Sequence, residues 1–307
     1  MTVTPERTRA ALSGISGILV TPFDTEDRPV PQRLVPIIDR CAKAGVDGLT
    51  INGNTGEFYS LSIAEAEKMQ AEVPALINGR SLVIAGVGRS VKDAVHLASR
   101  AKSDGADAIM IHQPPDPFVA PRGVVEYVKR VADAAGLPVM LYLRNDAIGL
   151  PAIEQLCKIP GVAGVKWATP NVMTLAKAIH RVGPGINFVC GLAEPWAPPM
   201  TAVGAKGFTS GLINLLPERS VSIRDALARG DYTSANETIA SIETFEALRS
   251  EEQNGTNVSV VKSALTLTGV DVGHARPPAA WPLAPESAKT LHALLAQWGI
   301  LQAAAAE

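Results

Sequence analysis

Gly161-Val-Ala-Gly-Val-Lys-Trp-Ala168 is the stretch from which the architecture can be read. The residues before its lysine are glycine, valine or alanine, as in a short strand covered on both faces within a parallel sheet. Two readings compete for Lys166. It is a strand-end lysine whose stem lies on apolar surface while its amine reaches water, or its amine opens on a pocket. In a pocket, desolvation disfavours the ammonium form and leaves a nucleophile near neutral pH.

Working outward, strand and helix alternate through most of the chain. Strands are predicted at Gly17–Phe23, Gly48–Gly53, Leu82–Gly88, Ala108–His112, Pro138–Tyr142, Val162–Lys166, Asn187–Cys190 and Gly207–Ser210. The helices that follow them are predicted at Pro31–Ala44, Ser62–Leu76, Val91–Ser103, Pro121–Ala135, Pro151–Lys158, Met173–Arg181, Pro195–Val203 and Pro217–Ala228. Gly45 marks one helix end, and Ser62 with Glu65 forms a capping box. Eight such units point to an α/β fold, a (β/α)8 TIM barrel, over residues 1–230. A doubly wound sheet would want Gly-x-Gly-x-x-Gly after the first strand, which is absent. From Tyr232 onward only helices are expected, at Tyr232–Glu252, Val258–Thr268 and Glu286–Leu301. Residues 231–307 therefore read as a C-terminal helical extension that serves packing and assembly.

The chain's 307 residues accommodate a barrel of about 250 with an appendage. Hydrophobic residues make up 47% and the net charge is −2, with no basic run, which argues against nucleic acid as a partner. Cys41, Cys157 and Cys190 stand alone in apolar contexts, which suits a reduced compartment. The N-terminus lacks the apolar core of a signal peptide, and no apolar run approaches the ~20 residues of a membrane span. The expectation is a cytoplasmic protein with no membrane partner.

Barrel enzymes place their chemistry at the carboxyl ends of the strands. Those ends carry Asn52-Gly-Asn-Thr-Gly-Glu57, His112, Tyr142-Leu-Arg-Asn-Asp146, Lys166, Gly191-Leu-Ala-Glu194 and Ser210. They hold no His-x-His, no His-Glu-x-x-His and no carboxylate cluster, so no metal is expected. No Gly-x-Ser-x-Gly occurs, and His112 reads as a core or rim histidine. Neighbouring strands lie about 4.8 Å apart, so Tyr142 and Lys166 can meet in the barrel mouth. A lysine forming a Schiff base with a 2-oxo acid needs a proton shuttle, which a phenol supplies, with the Thr55 hydroxyl as relay. Backbone N–H groups from Gly53 to Gly56 are placed to hold a carboxylate. The competing readings are a rim tyrosine and a plain tight turn.

Gly-x-x-Val-Thr-Pro-Phe, Gly-Asn-Thr-Gly-Glu, the strand-end Tyr and Gly-Val-Lys occur in that order, and the order resembles the dihydrodipicolinate synthase / N-acetylneuraminate lyase family. The resemblance covers nearly the whole chain, including Arg276-Pro-Pro. It implies a lysine-dependent class I lyase acting on pyruvate or a 2-keto-3-deoxy acid without a cofactor, as a homo-oligomer (tetramer or dimer). It also implies Lys166 as the Schiff-base residue, Tyr142 as the shuttle and Thr55 as the relay. Asn54 replaces the family's frequent first threonine, and Gly191 and Thr209, with Ser210 beside it, match pocket-lining positions.

The chain departs from the lysine-biosynthesis members. Ala147 stands near the place of their substrate-gripping arginine, and His112-Gln-Pro-Pro-Asp-Pro-Phe118 lacks the tyrosine they lend to a neighbouring subunit. Tyr142-x-Arg144 resembles members that dehydrate keto-deoxy sugar acids, such as 5-dehydro-4-deoxyglucarate dehydratase. There Arg144 would pair with a distal carboxylate, and Asn145 and Asp146 would read hydroxyls; a rim salt bridge is the competing role for Arg144. Two alternatives remain at this level: a pyruvate–aldehyde aldolase like 4-hydroxy-tetrahydrodipicolinate synthase, and a barrel that binds keto acids without turnover.

Overall fold

The computed structural model describes residues 4–302. The outer ends of the two expected spans, 1–3 and 303–307, lie outside the described residues.

Eight short strands, each followed by helix, close on themselves: β1 Ile15–Ile18, β2 Gly48–Ile51, β3 Leu82–Val87, β4 Ala108–His112, β5 Val139–Leu143, β6 Val162–Trp167, β7 Asn187–Cys190 and β8 Gly207–Ser210. All neighbours pair in parallel, and β8 returns to β1 with Thr209 beside Ser16. The sheet is a closed (β/α)8 barrel, as the strand count predicts. Valine, isoleucine and leucine on the outer face pack under the helical ring. A smaller cluster including Leu82, Ile84, Met110, Met140, Tyr142 and Val189 fills the barrel axis.

One element was missed in the sequence. Helix α1, Pro5–Leu12, starts where Thr4 accepts a hydrogen bond from the Arg7 N–H and proline takes the first turn. Its Leu12 joins the axial cluster. A Cβ on Gly164 would meet Leu12 Cδ1 at 2.6 Å, so the glycine of β6 makes room for this plug.

The surrounding helices are α2 Val35–Ala44, α3 Ile63–Ile77, α4 Val91–Ala101, α5 Pro121–Ala135, α6 Leu150–Cys157, α7 Val172–Val182, α8 Ala197–Ala202 and α9 Pro217–Ala228. The Ser62–Glu65 capping box forms, and Gly45 ends α2 in the left-handed region. β1 is shorter and earlier than the expected Gly17–Phe23. Beyond Ile18, the Val20 N–H donates to the Asn214 side chain and the Phe23 N–H to the Val272 carbonyl, while Pro22 has no N–H for a ladder.

The extension comprises α10 Tyr232–Ala240, α11 Glu243–Asn254, α12 Asn257–Leu267 and α13 Pro285–Gln297. The single helix expected over Tyr232–Glu252 is broken at Ser241, whose N–H bonds back to Glu237 and Thr238, and the turn buries Ile242 completely. From Glu251 the last turn of α11 unwinds. No helix among the described residues is long and apolar enough to cross a membrane.

Candidate active site

Lys166 occupies the carboxyl end of β6, opposite Tyr142 of β5 in the strand register. Both side chains point inward and are buried, and Lys166 Nζ lies 4.1 Å from the centre of the Tyr142 ring. Burial, reinforced by the positive charge of Arg144, brings the amine down to about 7. Burial pushes the Tyr142 phenol up to about 12, so it keeps its proton at neutral pH. The site thus sets a nucleophile that is neutral in good part against an acid that is fully protonated. A Cβ on Gly191 would lie 2.9 Å from Lys166 Cγ, so the glycine after β7 leaves space for the lysine stem.

The phenol's partner is Asn54, whose Nδ2 donates to the Tyr142 hydroxyl oxygen at 2.9 Å. The expected relay is the Thr55 hydroxyl; the group on the phenol is the Asn54 amide. Thr55 lines the cavity one residue on. The exchange follows from the turn, which Asn52 and Glu57 enter and leave with φ of 56° each. An amide nitrogen orients the phenol and would steady a phenolate, but it does not hand on protons as a hydroxyl does.

The turn is fastened from behind. Glu57 Oε1 lies 2.5 Å from Lys262 Nζ of α12, and Glu57 Oε2 accepts from the Arg276 N–H at 2.7 Å. Lys262 also donates to the His274 carbonyl at 2.7 Å. Burial drives Lys262 down to about 8 and raises the Glu57 carboxyl, against their mutual attraction.

A cavity of about 760 Å³ opens over the amine. Its lining brings together Asn54, Thr55, Tyr142, Arg144, Lys166, Gly191, Thr209 and Ser210 from the predicted set. Gly53 sits behind the wall, where a Cβ would meet Ile18 Cγ2 at 2.5 Å. Asn145 is not brought in. Its side chain accepts from the Ala147 N–H at 3.0 Å, capping a short helical turn, and the residue borders a separate cavity. Gln113 holds this loop through the Arg144 and Asn145 N–H groups. Asp146 accepts from Asn171. The Ser210 hydroxyl pairs with Ser220, which donates to the buried Glu194 at 2.6 Å. Burial first, then Glu246, raises the Glu194 carboxyl to about 7.

His112 is fully buried, stacked on Phe58 at 4.4 Å, and burial lowers it to about 3, so its ring is neutral. Nε2 faces the Asn52 carbonyl at 2.9 Å and must carry the hydrogen, which leaves Nδ1 to accept from the Tyr59 hydroxyl at 3.4 Å. The Arg144 guanidinium lies 6.0 Å from each of the Tyr59 and Tyr142 ring centres. No group of three or more metal-ligating side chains is present among the described residues.

The sequence reading missed that the far wall comes from the extension, where Glu246, Arg249 and Asn257 line the same cavity. No local pattern separates these from the solvated face of an amphipathic helix.

Comparison with known proteins bears on this geometry. The model of the dihydrodipicolinate synthetase family matches residues 11–298. A 4-hydroxy-tetrahydrodipicolinate synthase of Pseudomonas aeruginosa is 30% identical, covering 94% of this chain and 99% of its own. A probable 5-dehydro-4-deoxyglucarate dehydratase of Bacillus subtilis is 26% identical, covering 95% and 96%. The crystal structure of dihydrodipicolinate synthase from Oceanobacillus iheyensis superposes with a TM-score of 0.91 at 34% identity, covering 96% of this chain and 99% of its own.

Proposed function

Since the chain belongs to the dihydrodipicolinate synthetase family, whose members are lyases of the class I aldolase type, we propose that it forms a Schiff base through Lys166 with a 2-keto-3-deoxy sugar acid. The observation that carries this reading is the buried amine, lowered to about 7, held against a protonated phenol in the floor of the cavity.

In this reading Lys166 Nζ adds to the C2 carbonyl. Tyr142 donates its proton to the carbinolamine hydroxyl, which leaves as water, while Asn54 steadies the resulting phenolate. The Tyr142 phenolate takes the C3 proton while the iminium accepts the electrons released, and the phenol returns that proton to the C4 hydroxyl, which departs as water. Hydrolysis frees the amine. No cofactor enters these steps. Arg144, exposed at the cavity edge, is suited to a distal carboxylate through its planar fork. The B. subtilis relative named as a probable 5-dehydro-4-deoxyglucarate dehydratase supports elimination as the reaction. A homo-oligomeric assembly and a cytoplasmic setting are part of the same proposal.

The second reading, condensation of pyruvate with an aldehyde, is favoured by the P. aeruginosa relative's name. Product analysis separates the two, by loss of water with an intact carbon chain or by exchange of free pyruvate. The test of the common step is borohydride reduction in the presence of pyruvate. The adduct is expected on Lys166, and Lys166→Ala is expected to abolish both adduct and turnover. An unlabelled Lys166 under saturating 2-oxo acid refutes the amine chemistry and favours a barrel that only binds keto acids.

A further inference from the structure

In the loop from Gly191 to Trp196, between β7 and α8, every residue lines the cavity over Lys166 except Glu194. The Glu194 side chain is fully buried and reaches α9, where the Ser220 hydroxyl donates to Oε1 at 2.6 Å. A hydroxyl has one hydrogen, so the Ser210 hydroxyl, 3.1 Å from Ser220 Oγ, donates in its turn. Ser210 Oγ accepts from the Ile213 N–H at 3.2 Å. The chain thus runs from the end of β8 through α9 to one carboxyl oxygen. The other oxygen, Oε2, is buried with no hydrogen-bond partner among the described residues.

The charges that act on Glu194 belong to α11: Glu246, which opposes a second negative charge, and Arg249, whose hydrogen bonds go to Glu246 and Asn257. The Cys190 thiol at the end of β7 is pushed up by burial to about 12 and stays neutral. Helix α8 has no ionisable side chain, and Tyr232 and Glu237 of α10 are exposed. On α9, Glu218 and Asp225 are exposed, Arg219 lies over Trp298 and Arg224 pairs with Asp47. An ionised Glu194 would therefore leave a charged oxygen buried without a donor, which is costly, and the neutral acid is the form that fits. The residue before it shows what this anchor holds. Ala193 has φ 64° and ψ −169°, a conformation that belongs essentially to glycine and persists elsewhere only where the surroundings impose it. Its carbonyl accepts from the Trp196 N–H at 3.3 Å, and two residues earlier Gly191 abuts the lysine stem.

Resting on the Schiff-base reading above, we propose that Glu194 is a positioning residue that works as the neutral acid, tying the strained loop after β7 to α9 so that Gly191 and Ala193 keep their places over Lys166. When it loses its proton, the buried charge is drawn toward water, the tie to Ser220 gives way and Ala193 relaxes, which shifts the wall against the lysine stem. Adduct formation then has two limbs in pH. The acid limb belongs to Lys166, which must be neutral to attack, and the alkaline limb to Glu194, which must be neutral to hold the loop.

The test is the rate of pyruvate adduct formation on Lys166 of the full-length protein, trapped with borohydride across the range from about pH 5 to about pH 10. The carboxyl stands at about 7, so by about pH 9 only about 1% of Glu194 keeps its proton, and the wild-type rate should lie at least about tenfold below its maximum. Glu194→Gln, fixed in the neutral form, should lose the alkaline limb and hold a plateau, with the acid limb of Lys166 still present. Ser220→Ala removes a donor that favours the ionised form, so its alkaline limb should move to higher pH, whereas loss of packing alone would lower the rate without moving the limb. A wild-type rate that stays level to pH 9, or an alkaline limb that survives in Glu194→Gln, overturns the proposal. Should Glu194→Gln fail to fold, as read by circular dichroism, Ser220→Ala decides: a limb displaced upward supports the proposal, and a limb unmoved or displaced downward overturns it. Absence of any adduct in the wild type at every pH overturns the Schiff-base reading, and this proposal with it, whereas an adduct with the wrong alkaline limb overturns this proposal alone.

Discussion

Replacing Arg144 by glutamine tests what sets the ionisation of Lys166. Two causes lower that amine, burial first and the Arg144 charge second. The Arg144 guanidinium carbon and Lys166 Nζ lie 6.0 and 4.1 Å from the same Tyr142 ring centre, so the two charges are at most about 10 Å apart. At that upper limit of separation, with Arg144 open to solvent and an effective dielectric between about 40 and 80, Coulomb repulsion is at least roughly 0.4–0.8 kcal/mol, or about 0.3–0.6 of a pKa unit. The drop from 10.5 to about 7 is several times larger than that minimum, and burial is its largest cause. The assay is the second-order rate of pyruvate adduct formation against pH, stopped with borohydride at timed intervals. In the wild type the rate should fall on the acid side with a midpoint near pH 7, because the ammonium form does not attack. In Arg144→Gln the midpoint should rise by about half a unit to one unit, less than the shift that burial causes. A wild-type midpoint near pH 10 would refute the buried-amine argument. A rise of two units or more in the variant would show that charge, not desolvation, governs the site.

Two further outcomes follow from contacts around the amine. Gly191→Ala places a methyl 2.8 Å from the Trp167 carbonyl and 2.9 Å from Lys166 Cγ; the overpacking should cost about 1–3 kcal/mol in denaturation and lower the adduct rate by displacing the lysine. Lys262→Met leaves Glu57 buried without its partner and should destabilise the protein by about 3–5 kcal/mol; Glu57→Gln combined with Lys262→Met should restore much of it, and equal losses in the single and double variants would deny that the pair acts as a unit.

The barrel was legible because most strands are short apolar runs closed by a nearby glycine or proline, a pattern that does not depend on distant residues. Lys166 and Tyr142 were legible for a related reason, since adjacent parallel strands bring their ends together whatever the loops do. The exchange of Asn54 for Thr55 was not, because the turn's left-handed residues at Asn52 and Glu57 decide which of two consecutive side chains faces the phenol. Asn145 lies outside the main cavity for a similar reason: Asn is also a favoured cap, and here it caps. Helix α1 carried a readable signal in Thr4-Pro5-Glu6, but it is only eight residues long. The placing of Arg249 in the cavity wall depends on an absence at Gly211 in another segment, which periodicity within α11 does not register.

The tie between Glu57 and Lys262 joins positions 205 residues apart along the chain. During synthesis the eight strands leave the ribosome well before α12 exists, so a nascent barrel holds a buried-to-be carboxylate with no cation to meet it. The turn that presents Asn54 and Thr55 acquires its final shape only when the last quarter of the polypeptide arrives. Ripening of the mouth is therefore a late event, and a chain cut after α9 would keep its strands while leaving its chemistry unassembled.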